Sequence, residues 1–185
     1  GLDAGFDLFI DNIDWFDKDI NGKLINSYGQ AFLSPAVPQV RERQIALIKE
    51  IASYHVDGFQ LDYIRFSQGF GYGDYISKLF ESLYDRSPKE IGSFSPLFPR
   101  YQEFKAQFIS TFVDRVVKEV AAINPHAVVS AAVQSPYTWG FNDLGQDWKH
   151  WIDNRFIHSL MLMSYTLNAS ETKTIIETDL NHSEN

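Results

Sequence analysis

Apolar residues recur with helical spacing in two long stretches of the chain. The first runs from Val40 to Tyr54, and the Ser34-Pro35 pair before it predicts a helix start, with serine as the cap and proline in the first turn. The second is a stripe of Phe, Ile and Val between residues 104 and 120. Shorter helices are predicted over 74–84, 147–154 and 171–179, the last capped by Ser170.

Three short apolar runs alternate with these helices, at 56–66, 127–133 and 158–165. Buried strands that alternate with helices indicate parallel pairing and an α/β fold. Three parallel strands leave open edges, so the sheet needs completion, either as an open doubly wound sheet or as an eight-stranded (β/α)₈ barrel. No Gly-rich phosphate loop follows a strand, which disfavours a nucleotide-binding sheet. The remaining stretches are predicted to be mostly loop: 1–33, 67–100 and 135–146.

The strand over 56–66 carries more polar residues than a buried strand needs. Side chains alternate along a strand, so the strand has two different faces. The first face carries Asp57, Phe59, Leu61, Tyr63 and Arg65, and the second carries Gly58, Gln60, Asp62 and Ile64. The first face suits packing against helices. The second suits a barrel interior with Asp62 near the C-terminal mouth, where such barrels hold their active sites. Asp62 is therefore a candidate acid, base or nucleophile, and the structural alternative is an ion pair with Arg65.

Composition excludes several classes of function. The 185 residues are 44% hydrophobic with a net charge of −8, and no basic cluster is present, which disfavours nucleic-acid binding. Cysteine is absent, so no disulfide or thiolate chemistry is available. No apolar run approaches membrane-spanning length, the histidines lack metal-ligand spacing, and we expect no cofactor. The chain lacks an initiator Met and stops just after a helical pattern, which suggests a fragment.

Several short motifs occur in the order seen in one family of barrels. The polar strand has the pattern DG-x-x-x-D-Y-x-R-F from Asp57 to Phe66. The other motif residues are Leu33, Pro35, Pro38, Val40 and Arg41 before it, and Gln146, Asp147, Trp148, Trp151, Met163 and Tyr165 after it. Together, over roughly residues 14–166, they resemble the glycoside-hydrolase-like barrels called family 10 glycosylhydrolase-like, once a domain of unknown function.

This resemblance implies a single incomplete catalytic domain over 1–185, holding strands four to six of a (β/α)₈ TIM barrel whose other strands lie outside this chain. The implied units are 1–33, the loop after strand three; 34–66, helix and strand four; 67–100, a long loop; 101–134, helix and strand five; 135–165, loop, short helix and strand six; and 166–185, the following helix. It also implies a carbohydrate substrate and a secreted or cell-envelope location.

The same strand is distantly similar to the family 18 chitinase signature, DG-x-D-x-D-x-E. Ile64 stands where that family has its catalytic glutamate, and Gln60 stands at its first inward aspartate. Of that carboxylate series only Asp62 remains, so chitinase-type chemistry is not supported. The hypotheses are a glycoside hydrolase of a polysaccharide such as a bacterial envelope glycan, inactive as an isolated fragment, a catalytically inactive carbohydrate-binding barrel, or a doubly wound domain that binds ligands or proteins.

Glycoside hydrolysis usually needs two carboxylates. The partner of Asp62 is expected either in the strands outside this chain or on a loop, where Asp11, Asp14, Asp143 and Asp147 are the candidates; Asp147 could instead cap a helix. The residues proposed to contact substrate are Gln60, Tyr63, Arg65, Gln134, Trp139, Met163 and Tyr165. Aromatic residues in the 135–146 loop could equally pack over the sheet, and Trp148 and Trp151, three residues apart, favour a core position.

The stretch Asp17-Lys18-Asp19-Ile20-Asn21-Gly22 matches the first half of an EF-hand calcium loop. Its twelfth position is Tyr28 rather than the bidentate glutamate, and helical patterns are missing on both sides. We therefore expect a tight Asp/Asn/Gly turn here and no metal site.

Overall fold

The computed structural model describes residues 10–183, and the side chains of its last helix as far as Asp179. The main elements are, in chain order, α1 (Pro38–Ala52), β1 (Gly58–Leu61), α2 (Asp74–Tyr84), α3 (Leu97–Ile123), β2 (Val128–Gln134), α4 (Tyr137–Leu144), α5 (Trp148–Asp153), β3 (Ser159–Met163) and α6 (Ala169–Ser183). Short 3-10 turns lie at Ile13–Trp15 and Pro88–Glu90.

The three strands form one parallel sheet in the order β1–β2–β3. Gln60 is level with Ser130, and Ser130 is level with Ser159. The predicted α/β class and parallel pairing are confirmed. Parallel pairing brings the C-terminal ends of all three strands to one edge, which is where the candidate residues are concentrated.

One face of the sheet forms the core with the helices. Leu61, Val129 and Ala131 are buried in a cluster that also contains Val113 and Val116 of α3. The predicted packing face of the first strand is confirmed for Phe59 and Leu61. It is wrong beyond Leu61, where the strand ends: Tyr63 is exposed, and Ile64, predicted for the opposite face, lies in this core. On the opposite face, side chains of the outer strands and of the start of β2 are exposed, namely Gln60, Val128 and Met161.

Two helix starts differ from the sequence prediction. Helix α1 begins at Pro38, with Val37 at the cap position, so Ser34 is not its N-cap. Two prolines compete here, and Pro38 takes the first turn because a proline N–H is not needed there. Helix α6 begins at Ala169, and the Asn168 side chain accepts the N–H of Ser170 (3.0 Å), so the predicted Ser170 cap is also wrong.

The prediction of a loop over 135–146 is wrong, because Tyr137–Leu144 forms α4. The carboxylate of Asp179 accepts the N–H of Tyr137, the first residue of this helix (2.9 Å). Gly145, at φ +72°, ends it in the left-handed conformation that glycine adopts freely. The long helix α3 likewise starts earlier than predicted and holds Pro99 in its first turn, where proline is tolerated.

Strand β1 spans four residues, shorter than the predicted 56–66. The chain leaves the sheet after Leu61, and Tyr63 has the left-handed φ of +53°. The next residue after the strand is Asp62, so its carboxylate stands on the turn at the C-terminal end of β1. Backbone groups in this turn pair locally, since Arg65 N–H donates to the Tyr63 carbonyl (2.9 Å).

Candidate functional site

Asp62 is exposed, and within residues 10–183 its carboxylate accepts one hydrogen bond, from the N–H of the next residue, Tyr63 (2.7 Å). None of the ion pairs within the described residues includes Asp62. The predicted structural alternative, an ion pair with Arg65, is therefore not what residues 10–183 form. A carboxylate at a strand end that no cation neutralises is available to a ligand.

A cavity of about 500 Å³ opens beside this turn, between β1, the helices α1 and α3, and the segment 31–35. Four residues predicted for the site line it together, namely Gln60, Asp62, Tyr63 and Arg65. Its wall combines apolar rings with a few polar groups, as ligand sites do. Further polar lining comes from Arg41 and Gln44 of α1 and from Asp17.

An aromatic stack stiffens the cavity wall next to Asp62. The ring of Tyr63 lies parallel to that of Phe32, with 5.3 Å between centroids. The guanidinium of Arg65 lies 4.3 Å from the centroid of the Tyr63 ring, a cation–π contact. The Arg65 Nε is buried without a hydrogen-bond partner within the described part of the chain. Arg65 therefore positions the turn through Tyr63 and not through Asp62.

Gln146 ties this turn to the neighbouring strand. Its side chain is fully buried and donates to the carbonyls of Ile64 and Ala132 (3.2 Å each), while its Oε1 accepts the N–H of Gln134 (2.9 Å). These three hydrogen bonds join the turn after β1 to the end of β2, and so they fix the distance between the two. The residue came to notice in the sequence only as part of the Gln-Asp-Trp-x-x-Trp motif.

The remaining residues proposed to contact substrate do not line this cavity. Gln134 is buried at the end of β2, level with the half-buried Met163 of β3. Trp139 is half-buried on α4, and Tyr165 is 85% exposed beyond β3. The structure places all four at the C-terminal edge of the sheet but does not bring them to Asp62, so their substrate role stays a prediction.

The three carboxylates predicted as partners of Asp62 also lie away from the cavity. Asp14 is exposed on the 3-10 turn Ile13–Trp15, and Asp143 is exposed on α4. Asp147 caps α5 by accepting the N–H of His150 (3.3 Å) and also accepts the hydroxyl of Tyr137 (2.8 Å). The capping alternative for Asp147 is thus confirmed. Asp11, the other loop carboxylate considered, is exposed and does not line the cavity either.

The tryptophans of the same motif have structural positions. Trp151 is fully buried and its Nε1 donates to the hydroxyl of Ser110 (2.8 Å), and Trp148 is buried beside it in the core. Their predicted core location is confirmed.

Asp17 is a cavity residue that sequence reasoning missed. In the sequence it stands out only as the first residue of the predicted Asp17–Gly22 turn. That turn is present, with the Asp19 carboxylate accepting the N–H groups of Asn21 (2.9 Å) and Lys23 (2.8 Å). Asp17, however, turns inward, is 1% exposed, and lines the cavity that Asp62 also lines.

The environment of Asp17 favours its protonated form. Burial raises its pKa from 3.8 to about 6, against the lowering effect of hydrogen bonds from backbone N–H groups and of the charge of Lys105. Its Oδ1 accepts the N–H groups of Lys18 (2.9 Å) and Gly73 (3.1 Å). Lys105 on α3 is itself buried, and burial lowers its pKa. A carboxyl that titrates near pH 6 can both give and take a proton near neutral pH.

Residues 10–183 contain no group of three or more His, Asp or Glu placed to hold a metal ion. No helix in that range is long and apolar enough to cross a membrane.

Sequence comparison identifies the family. The model of the glycosyl hydrolase-like 10 family matches residues 9–184, almost the whole chain. The chain belongs to this family. The resemblance inferred from the strand, helix-start and Met-x-Tyr motifs is thereby confirmed. A comparison with curated protein sequences gives no significant match.

Two solved glycoside hydrolases share the fold. The β-galactosidase from Bacillus circulans sp. alkalophilus superposes on 91% of this chain with a TM-score of 0.63 at 13% identity. The β-galactosidase from the psychrophilic Marinomonas ef1 covers 85% of the chain with a TM-score of 0.58 at 14% identity. The match spans only 30% and 28% of those enzymes, respectively. Identity at this level supports a common fold and not a common substrate.

Proposed function

We propose that this chain is part of a glycoside hydrolase that cleaves a polysaccharide, with Asp62 as one of the two carboxylates that act on the glycosidic bond. Bacterial cell-envelope glycan is the substrate class to test first. The observation that carries the proposal is the position of Asp62: exposed, without a cationic partner, at the end of a parallel strand and in the wall of a cavity. Family membership supports the same chemistry.

The cavity wall is chemically suited to a sugar. The stacked pair of Tyr63 and Phe32 offers apolar ring edges, while Gln44, Gln60 and Arg41 offer hydrogen-bond donors and acceptors around Asp62. Apolar rings stack on the C–H faces of a sugar and amides bind its hydroxyl groups, so one wall can hold both. Arg65 and Tyr63 would hold the Asp62 turn in place, and Gln134, Trp139, Met163 and Tyr165 would extend the cleft along the sheet edge.

The arrangement of the sheet argues for a barrel over a doubly wound domain. A doubly wound sheet has helices on both faces. Here Leu61 and Val129 are covered on one face, whereas Val128 and Met161 on the other are about half exposed. We propose that further strands of a (β/α)₈ barrel complete this sheet in the whole protein.

The test uses the natural full-length protein. Wild-type protein and Asp62→Asn are incubated with envelope polysaccharides and aryl glycosides, and new reducing ends and released phenols are quantified. We expect hydrolysis by wild type and a loss of about 10³-fold or more in kcat/KM for Asp62→Asn. Asp57→Asn, an exposed carboxylate at the other end of the same strand, is the matched control and should retain activity.

The alternative function is a catalytically inactive carbohydrate-binding barrel. Ile64, at the position of the chitinase glutamate, is buried in the core and offers no carboxylate. Binding of oligosaccharides in calorimetry without product release, and unaffected by Asp62→Asn, would favour this alternative. Wild-type turnover that Asp62→Asn leaves unchanged would exclude Asp62 from catalysis.

A further inference from the structure

We propose that Asp17 is the second carboxylate of the site and serves as the general acid that protonates the departing sugar oxygen. This inference rests on the proposed glycoside hydrolase function. Glycosidases place two carboxyl groups about 5–5.5 Å apart for retention or roughly 6.5–9.5 Å apart for inversion, on opposite sides of the reacting carbon. Within the described residues, Asp17 and Asp62 are the acidic side chains that line this cavity.

Asp17 is held by the backbone of two other segments, one at Phe32 and one at Tyr72 and Gly73. Its own N–H donates to the Phe32 carbonyl (2.7 Å), and its Oδ1 accepts the N–H of Gly73 (3.1 Å). The Lys18 carbonyl accepts the N–H of Tyr72 (2.9 Å), which fixes the segment around Gly73 beside it. A Cβ at Gly73 would approach the Asp17 Oδ1 to 3.2 Å, so the glycine allows the backbone this close. The carboxyl is therefore preorganised by the fold itself.

Asp17 and Asp62 have contrasting surroundings, as the acid and the second carboxylate of a glycosidase require. Both residues line the cavity, but Asp17 is 1% exposed whereas Asp62 is exposed to solvent. A buried carboxyl retains its proton to higher pH than an exposed one, so the acid role falls to Asp17. Asp62 is left as nucleophile or base.

Charged groups around Asp17 come from several elements. Lys105 of α3 is the nearby cation; its Nζ donates to the Asp143 carbonyl (3.4 Å), and its positive charge favours the ionised form of Asp17. Tyr101, also on α3, donates its hydroxyl to the Gly71 carbonyl and so does not donate to Asp17. Arg41, Arg65 and Asp62 also line the cavity. Burial outweighs the attraction of Lys105, which leaves Asp17 with a pKa of about 6.

The proposed step balances with water as the only co-reactant. Asp17 gives its proton to the glycosidic oxygen as the bond between that oxygen and the anomeric carbon breaks, and the bond's electron pair remains on the oxygen. Water supplies hydroxide to the anomeric carbon, directly in inversion or after a covalent Asp62 ester in retention. The remaining proton of that water returns to a carboxylate, and one glycosidic bond gives two hydroxyl groups.

Leaving-group dependence tests the role of Asp17 without knowledge of the natural substrate. The full-length Asp17→Asn variant is assayed with the phenyl and 2,4-dinitrophenyl glycosides of the sugar that wild type cleaves. A dinitrophenolate departs without protonation, whereas phenolate needs an acid. We expect kcat/KM to fall about 10²- to 10⁴-fold for the phenyl glycoside and less than about tenfold for the dinitrophenyl glycoside. The alkaline limb of the pH profile should flatten as well.

The two rates are measured on one sample, so a partly unfolded variant lowers both equally and their ratio still reports proton transfer. Asp19→Asn, a carboxylate two residues away that caps a turn, is the matched control and should keep both rates. An equal loss on the two glycosides, with wild type active, overturns the role of Asp17 and leaves the hydrolase proposal intact. No hydrolysis of any glycoside by wild type overturns the hydrolase proposal itself and this inference with it.

Discussion

Replacing Asp17 by Asn should change how the stability of the protein depends on pH. Asp17 is 1% exposed, and burial raises its pKa from 3.8 to about 6. The folded state therefore binds the Asp17 proton more tightly than the unfolded state does. Stability from this proton is fully present below the unfolded pKa of 3.8 and is lost as pH rises through about 6. Asparagine has no such proton, so the variant lacks this loss.

The size of the effect follows from the shift. About two pKa units at 1.36 kcal/mol each amount to about 3 kcal/mol in full, of which about 2 to 3 kcal/mol develops between pH 4 and pH 7. An asparagine at this site keeps an oxygen to accept the N–H groups of Lys18 and Gly73, but it adds an amide N–H₂ that needs partners. That cost is nearly independent of pH. It cancels when the difference between variant and wild type is compared at two pH values.

The assay is urea-induced unfolding of the full-length protein at pH 4 to 8, followed by hydrogen–deuterium exchange of α3 peptides so that this part of the chain alone is reported. We expect the free energy of unfolding of wild type to fall by about 2 to 3 kcal/mol more than that of Asp17→Asn between pH 4 and pH 7. Asp19→Asn should follow wild type. Parallel pH curves for wild type and Asp17→Asn would refute the assignment of a buried, proton-holding carboxyl.

Two further substitutions test the supports of the site. Gly71 has φ +106° and a Cβ there would lie 2.8 Å from Lys105 Cδ, so Gly71→Ala should cost about 2 to 4 kcal/mol in denaturant unfolding. Gly22→Ala, at φ +82° with nothing within 4 Å, should cost about 1 kcal/mol, and equal losses would show that the Lys105 contact is unimportant. Gln146→Leu removes the hydrogen-bond partner of three buried backbone groups and should lower the free energy of unfolding by about 3 to 5 kcal/mol. Gln102→Leu, half-buried with one long hydrogen bond, should cost under about 1 kcal/mol, and similar values for both would contradict the tie between strand ends.

Periodicity in the sequence was sufficient to predict the helix–strand alternation, the parallel sheet and the packing face of β1. The predicted starts and ends of elements were wrong where two local sequence signals compete or where a distant residue decides. Ser34-Pro35 and Pro38 both indicate a helix start, and only the packing of α1 on α3 selects the second. The loop predicted over 135–146 is a helix because Asp179, more than 40 residues away, accepts the N–H of Tyr137.

The candidate site was predictable for residues of one local segment and not for residues joined by tertiary contacts. Asp62 stands out in the sequence because a carboxylate ends an apolar strand, and the structure places it in the cavity wall with Gln60. Asp17 sits in a turn-like stretch, and its burial depends on the segments that carry Phe32 and Gly73. Such burial leaves no local pattern in the sequence, which instead indicates loop carboxylates such as Asp143, a residue that does not line the cavity.

The central claim is that a glycosidic bond is held between Asp62 and Asp17. A crystal structure of full-length Asp62→Asn with a bound oligosaccharide tests it most directly. We predict a sugar ring against Tyr63, with the glycosidic oxygen within hydrogen-bond distance of the Asp17 carboxyl and the residue 62 amide on the other side of the anomeric carbon. A sugar bound elsewhere on the sheet edge, with another carboxyl at its glycosidic oxygen, would contradict the account.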